Sequence, residues 1–412
     1  MPKYRLLYFM WLCPTAGYAT ADLSDIFQPF VSETVTYNDN LFYQNSKAGH
    51  ATVLPPLSGQ ASGLTLIKDD VINQATVGGA VNYTLGRQKL SLNLSLTDNR
   101  FVNNSFLNNI SSNDRAVWQW RLGHPLWGEA GYVYTRTMGG FTNTAFYGLN
   151  MITGNNVFAN LNYVWHPRWK AQAGLNWQEY SNSASQRATL DQQTTTVSGG
   201  LYYTSPSNNS AGLLYSFEDG IYPNRQLNGA TLVDNKYQQH TINALLTYKF
   251  TEKLSFDGKI GYVIRQYPDY SQRDYSSNIF NLALNWTPTA KVLVSLAGWR
   301  RLATWQDVTA SYVVTEGFSL SPMWQASPKL ALMAKFSRQT LDYAGDQIEV
   351  GAPTRQDTLL SGQLSLIYTP AAGAEITLGY LVAKRDTINP PPGGGPLDYL
   401  SNSVFSSIVL KF

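Results

Sequence analysis

The sequence predicts an all-β fold: a single closed antiparallel transmembrane β-barrel of about 18 strands, with 16 as the alternative count. Three observations point to it. Apolar residues alternate at period two along most of the chain, connections alternate between short and long, and Phe412 closes the last alternating segment.

Composition agrees. Charged residues make up 14%, against ~25% in soluble domains. Yet mean hydropathy is -0.23, and no run after residue 21 is long and apolar enough for a membrane helix. Such a chain needs strands with one face for lipid and one for water. The net charge of +3 includes Lys3 and Arg5 and gives no footprint for nucleic acid.

Residues 1–21 read as a signal peptide. Lys3 and Arg5 form the positive end, Leu6 to Leu12 a short apolar core, and Ala19-Thr20-Ala21 a small-residue cleavage site. Met10, Trp11 and Leu12 before Cys13 argue against a lipoprotein. Residues 22–412 are then the barrel, without cysteine, in the outer membrane of a Gram-negative-type bacterium.

The strands follow in order. Val31, Val35 and Tyr37 mark the first. Ala75, Val77, Gly79, Val81, Tyr83 and Leu85 share one face of the second. In the third, Leu90, Leu92, Leu94 and Leu96 alternate with Ser91, Asn93, Ser95 and Thr97. A helix would scatter these leucines; a strand puts all four on one side. Ala116-Trp118-Trp120-Leu122 and Ala130-Tyr132-Tyr134 come next, then Val157 to Trp165, Ala171 to Trp177, Val197 to Tyr203 and Ala211 to Phe217. Ile242 to Tyr248, Leu254 to Tyr262, Phe280 to Trp286 and Val292 to Leu296 continue the series. The last five are Tyr312-Val314-Phe318 with Glu316 out of place, Leu330 to Phe336, Leu360 to Tyr368, Ala374 to Tyr380 and Val404 to Phe412. Around Leu293 to Trp299 both faces are apolar, which leaves the register open and allows a bulge.

Short turns such as Gly86-Arg87 and His166-Pro167-Arg168 alternate with long polar segments such as 38–74, 98–113 and 137–154. Short periplasmic turns and long outer loops are the barrel pattern. Each descending strand carries an outward aromatic before its turn: Tyr83, Trp120, Trp165, Tyr203, Tyr248, Trp286, Phe318, Tyr368 and Phe412. These form the expected inner girdle, since amphipathic rings prefer the headgroup level. Tyr37, Tyr134, Trp177, Phe217, Tyr262, Phe336 and Tyr380 sketch the opposite rim.

The remaining face must line the lumen. It offers Asn82, Asn93, Gln119, Arg121, Asn160, Asn162, Gln172, Asn176, Gln178, Asn243, Asp257, Lys259, Asn281, Asn285, Lys335, Glu375 and Thr377. Amides donate to and accept from sugar hydroxyls, so this lining suits a hydrated carbohydrate; it equally suits any water-filled pore. Asp257 with Lys259, and Lys335 with Glu375, are candidate charge pairs. Asn38-Asp39-Asn40 is an Asx-type turn or an oxygen-rich calcium site. The four histidines have no metal-ligand spacing, and no nucleophile–base set or carboxylate pair marks an enzyme. No cofactor is called for.

Val35-Thr36-Tyr37-Asn38-Asp39-Asn40-Leu41-Phe42 resembles the amino-terminal pattern of the EpsL family, outer-membrane barrels encoded with exopolysaccharide biosynthesis genes. His166-Pro167-Arg168-Trp169 and a turn at Pro322-Met323-Trp324 are similar to that family too. The resemblance implies export or surface assembly of an exopolysaccharide, with separate periplasmic export proteins as partners. A diffusion porin for small hydrophilic solutes, general or selective, is the alternative, and a structural or adhesive barrel is a third class. All three imply contact with outer-membrane lipid and the barrel-assembly machinery; the first two imply a polysaccharide or small sugar ligand.

Overall fold

A computed structural model describes residues 26–45, 49–53, 65–142, 146–228, 231–269, 271–304, 312–344, 354–390 and 397–412. The expected signal segment lies outside them, as do 391–396 of the last outer loop.

The wall is built from β1 (Phe27–Asn38), β2 (Asp70–Leu85), β3 (Gln88–Phe101), β4 (Asn109–Leu122), β5 (Leu126–Met138) and β6 (Met151–His166). It continues with β7 (Trp169–Asn182), β8 (Gln192–Thr204), β9 (Ser210–Ile221), β10 (Tyr237–Thr251), β11 (Leu254–Gln266) and β12 (Tyr275–Thr289). It ends with β13 (Val292–Thr304), β14 (Tyr312–Ser327), β15 (Leu330–Ala344), β16 (Gln356–Ala371), β17 (Ala374–Ile388) and β18 (Tyr399–Lys411). Each strand pairs antiparallel with its sequence neighbours. β18 returns to β1, Lys411 opposite Phe30 and Ser403 opposite Asn38, closing an 18-stranded barrel. The alternative count of 16 is thereby set aside.

The strands outrun the alternation that reveals them. They extend over 12 to 16 residues, where ~9–11 suffice to cross a membrane. The extra length lies at the outer end, where outward positions turn polar: Asp98 pairs with Arg100 at 2.9 Å, Arg300 with Glu316, and Lys384 with Asp386 at 2.9 Å. This collar stands above the upper aromatic ring. It explains Glu316, which faces outward directly opposite Arg300. Strand therefore takes up most of segment 98–113 and both ends of 137–154, leaving loops of 102–108 and 139–150.

Two further expectations are corrected. Pro322-Met323-Trp324 is not a turn but part of β14; the turn is Pro328-Lys329. Proline is accommodated because the β14–β15 ladder skips Ser321 and Pro322 while β13 still pairs there. The register left open at Leu293 to Trp299 is continuous toward β14, while toward β12 the allowed bulge is present at the segment's edge, where the ladder passes from Trp286–Val294 to Thr289–Val292 around Leu293; a second irregularity lies at Gln325/Ser327. Phe318 sits in mid-strand, and Trp324, three residues before the end of β14, takes the girdle position. The turns at Gly86, with φ +61°, and Gly373, with φ +80°, need a backbone that L side chains resist.

On the lumen side, glycines and aromatics face each other across neighbouring strands. Phe30 lies opposite Gly78, Phe158 opposite Gly131, Tyr180 opposite Gly154 and Tyr202 opposite Gly212. Tyr237 lies opposite Gly220, Trp299 opposite Gly317 and Phe405 opposite Gly379. In each pair the ring occupies the space a Cβ on the glycine would need. The rings thus lie flat on the wall and shield backbone that glycine leaves bare.

The outward row of β1 holds a discordant residue. Glu33 is exposed between Val31 and Val35 in the outward row that runs from Phe27 to Tyr37. Its Oε1 accepts from Asn73 Nδ2 at 3.1 Å. A cation at mid-bilayer costs ~2–4 kcal/mol and a carboxylate less. Glu33→Leu is therefore expected to stabilise the barrel by up to about 2 kcal/mol in a urea titration. A lowered midpoint would mean that Glu33 meets something outside this chain.

Candidate functional site: the lumen and its outer mouth

Alternation that sends the leucines and aromatics outward sends the intervening residues to the concave face, and pairing fixes which ones meet. The seventeen polar positions named above are ones that alternate, along their strands, with the apolar rows. Asn82 accepts from Ser91 Oγ at 2.9 Å, and Asn93 lies opposite Arg115. Gln119 lies opposite Glu129, and Arg121 opposite Trp127. Asn160 donates to Glu129 Oε1 at 3.3 Å, Asn162 lies opposite Gln172, and Gln178 donates to Tyr180. Asn176 Oδ1 accepts from Asn156 at 2.7 Å. Across the barrel, Asn285 accepts from Ser295 at 2.8 Å, and Asn243 is buried with its Oδ1 unpaired. Asn281 lies opposite Lys259, and Thr377 opposite Ser407.

The expected charge pairs do not form among the described residues. Asp257 accepts instead from Thr247 Oγ1 at 3.0 Å. Lys335 lies opposite Gln363 on β16, while Glu375 lies opposite Val409 on β18, with no ion pair between them. Residues two apart share a face but diverge from it, so opposite charges at that spacing need not meet.

Of the girdle positions, Tyr83, Trp120, Trp165, Tyr203, Tyr248, Trp286 and Tyr368 lie within three residues of their strand ends. Trp165 and Trp169 stack with centroids 6.4 Å apart, and Trp169 meets Tyr203 at 5.2 Å. Phe412 follows β18 directly, its N–H donating to Pro29 O at 3.0 Å.

The outer mouth is where buried residues collect. After β1 the chain makes an Asx turn, Asn40 N–H donating to Asn38 Oδ1 at 2.7 Å. The Asp39 carboxylate takes Asn402 N–H and Nδ2, each at 2.7 Å. Among the described residues no three His, Cys, Asp or Glu side chains gather as a metal site. Phe42 then packs against Leu41, Leu66, Phe101, Leu107 and Phe141. Its ring is 4.9 Å from Phe141 and 5.7 Å edge-on to Tyr147, both in the loop after β5. Beneath this cluster, buried Asp70 accepts from Asn103 N–H, Asn104 N–H and Asn104 Nδ2 at 2.9–3.0 Å.

The 139–150 loop reaches further. Arg385, on the inner face of β17, donates to Thr142 O. β17 stands six strands from β5 round the wall, roughly 30 Å at the usual strand spacing. The bond therefore ties the loop to the inner face of a strand a third of the way round the wall. Arg385 also donates to Leu397 O at 2.8 Å and lies 3.8 Å from Asp357. Asp357 is fully buried; Arg355 grips both its oxygens, at 3.0 and 2.5 Å, and Tyr343 O–H donates at 3.0 Å. Burial raises the Tyr147 phenol above its ordinary range against the opposing pull of Arg385, so the ring stays neutral there.

Deeper in the lumen, a recess of about 320 Å³ opens on the inner wall of β4 to β8. Arg115, Phe158, Asn156, Asn160, Asn176, Thr196 and Ser198 line it, with Gly174 as its floor. The Arg115 guanidinium stands 5.2 Å from the Phe158 centroid. Below it, the Lys170 ammonium sits between Tyr202, at 4.5 Å, and Trp127, at 5.5 Å. Arg115, Phe158, Lys170, Trp127, Tyr202, Asp357 and Arg385 were missed by reading one face at a time. They occupy the positions between the outward residues of the same strands.

A closed 18-stranded barrel with an apolar outer band and a polar inner wall is a porin-like outer-membrane protein. Solved structures agree at the level of fold. Pseudomonas aeruginosa OccK1 (OpdK) superposes with TM-score 0.50 and 11% identity, covering 94% of this chain and 99% of its own. Pseudomonas aeruginosa OccK2 (OpdF) gives TM-score 0.50 and 9% identity over 94% and 98%. No family model and no curated protein matches the chain. The resemblance to the EpsL family does not hold: the architecture is that of the Opd and Occ proteins, and the proposed Pro322 turn is strand. The exopolysaccharide role that rested on it falls with it.

Proposed function

We propose that the chain is a passive diffusion channel for small hydrophilic solutes, narrowed at its outer mouth so that it selects among them. The bond from Arg385 on β17 to the loop after β5 carries this reading, because a loop held there against the inner wall narrows the route into the polar lumen. The amide-rich inner wall supports it, since water and solute hydroxyls find donors and acceptors along the wall. Reconstitution in planar bilayers tests it. Discrete conductance steps, small for a barrel of 18 strands, are expected. A bilayer that stays silent at all voltages would leave a structural barrel as the better reading.

A further inference from the structure

We infer that the recess over Gly174 is a binding shelf for a neutral polyhydroxylated solute of monosaccharide size. The inference rests on the channel reading above and names what that channel holds.

Four features of the recess carry it. First, its polar groups are amides and hydroxyls: Asn156, Asn160, Asn176, Thr196 and Ser198. These both donate and accept, as vicinal hydroxyls require; a carboxylate would need donors alone. Second, the local charge does not favour an anion. Among the described residues Arg115 is the one cation lining the shelf, and two carboxylates bond its lining residues. Glu129 holds Asn160 at 3.3 Å, and Glu218 accepts from Thr196 at 3.4 Å. Third, Phe158 is held flat over Gly131. With the Arg115 guanidinium over the ring at 5.2 Å, its edge gives the shelf an apolar margin for the C–H side of a sugar. Fourth, the floor is glycine. A Cβ at Gly174 would come within 2.6 Å of Ser198 Oγ and 2.8 Å of Asn160 Oδ1. The depth of the shelf therefore depends on that missing side chain.

The shelf is half-open to the lumen, which suits weak capture and quick release in a diffusion channel. A deep, enclosed site would stop transport rather than select for it.

Glucose is the probe, with gluconate as the anionic and glucosamine as the cationic comparator. In the bilayer, glucose is expected to produce concentration-dependent flicker, saturating at millimolar levels. Isothermal titration on the detergent-solubilised protein reads the same site without requiring a conducting pore. Asn176→Ala, and separately Gly174→Ala, should weaken glucose about five- to tenfold. Ser361→Ala, on the opposite wall, should leave binding unchanged. Gluconate or glucosamine acting more strongly than glucose would overturn the proposal, as would a conducting channel that no sugar affects. Glucose bound by a non-conducting protein would instead sink the channel reading and keep the shelf.

Discussion

Replacing residues 141–148 by a short glycine–serine linker should raise single-channel conductance severalfold. Those residues supply Phe141, the Thr142 carbonyl and Tyr147, through which the loop meets Phe42 and Arg385. The barrel should tolerate the change, because Gly139 N–H already bonds Asn150 O at 2.8 Å, so the loop ends are adjacent. Planar-bilayer recordings of the intact and shortened proteins, in the same salt, would measure the effect. Unchanged step size would mean that the loop does not limit flow.

Asp357→Ala should be the most destabilising single substitution in the mouth. It removes the carboxylate shared by Arg355 and Tyr343 and faced by Arg385, leaving buried guanidinium groups uncompensated. Breaking a buried pair from one side costs ~3–5 kcal/mol. Asp386→Ala, one residue from Arg385 but on the outer face, is the matched control. Its pair with Lys384 is half exposed on both sides (51% and 52%), and such pairs contribute ~0–1 kcal/mol. Urea unfolding in detergent should separate the two variants clearly. Equal midpoints would show that Asp357 does not hold the mouth together. Because Arg385 also anchors Thr142, Asp357→Ala should make the recorded channel noisier.

Much of the wall was legible because a membrane imposes the period that reveals it. Lipid outside and water inside force apolar and polar residues to alternate, and this gave all eighteen strands. Where the lipid stops, the signal stops. Glu179, Arg300 and Asp386 face outward above the hydrocarbon, so their strands read as loop although the ladder continues past them. Glu316 looked misplaced for the same reason. Phe318 was taken for a rim residue because Pro322 resembles a turn, although a proline is tolerated where one ladder skips it.

The mouth was less legible. Arg385 and Thr142 are 243 positions apart, and no local pattern announces their bond. The loops that carry Phe42 and Phe141 are short apolar interruptions in polar sequence, and only closure of the barrel makes those interruptions neighbours. The lumen shelf lies between these cases. Phe158 and Arg115 sit at positions that alternation already assigned to the interior, but polar residues there drew attention first.

The glycine–aromatic pairs also bear on how the wall is assembled. A slip of one residue between strands is forbidden because it turns leucines into the water. A slip of two preserves every inward and outward face, so alternation alone cannot prevent it. It would unseat Phe158 from Gly131 and Trp299 from Gly317, and drive each ring against a neighbour that has a Cβ. The rings therefore act as pegs that admit one alignment of the two strands each of them joins. Seven such pegs, spread from the β1–β2 pair to the β17–β18 pair, give the growing sheet a check at intervals as it closes.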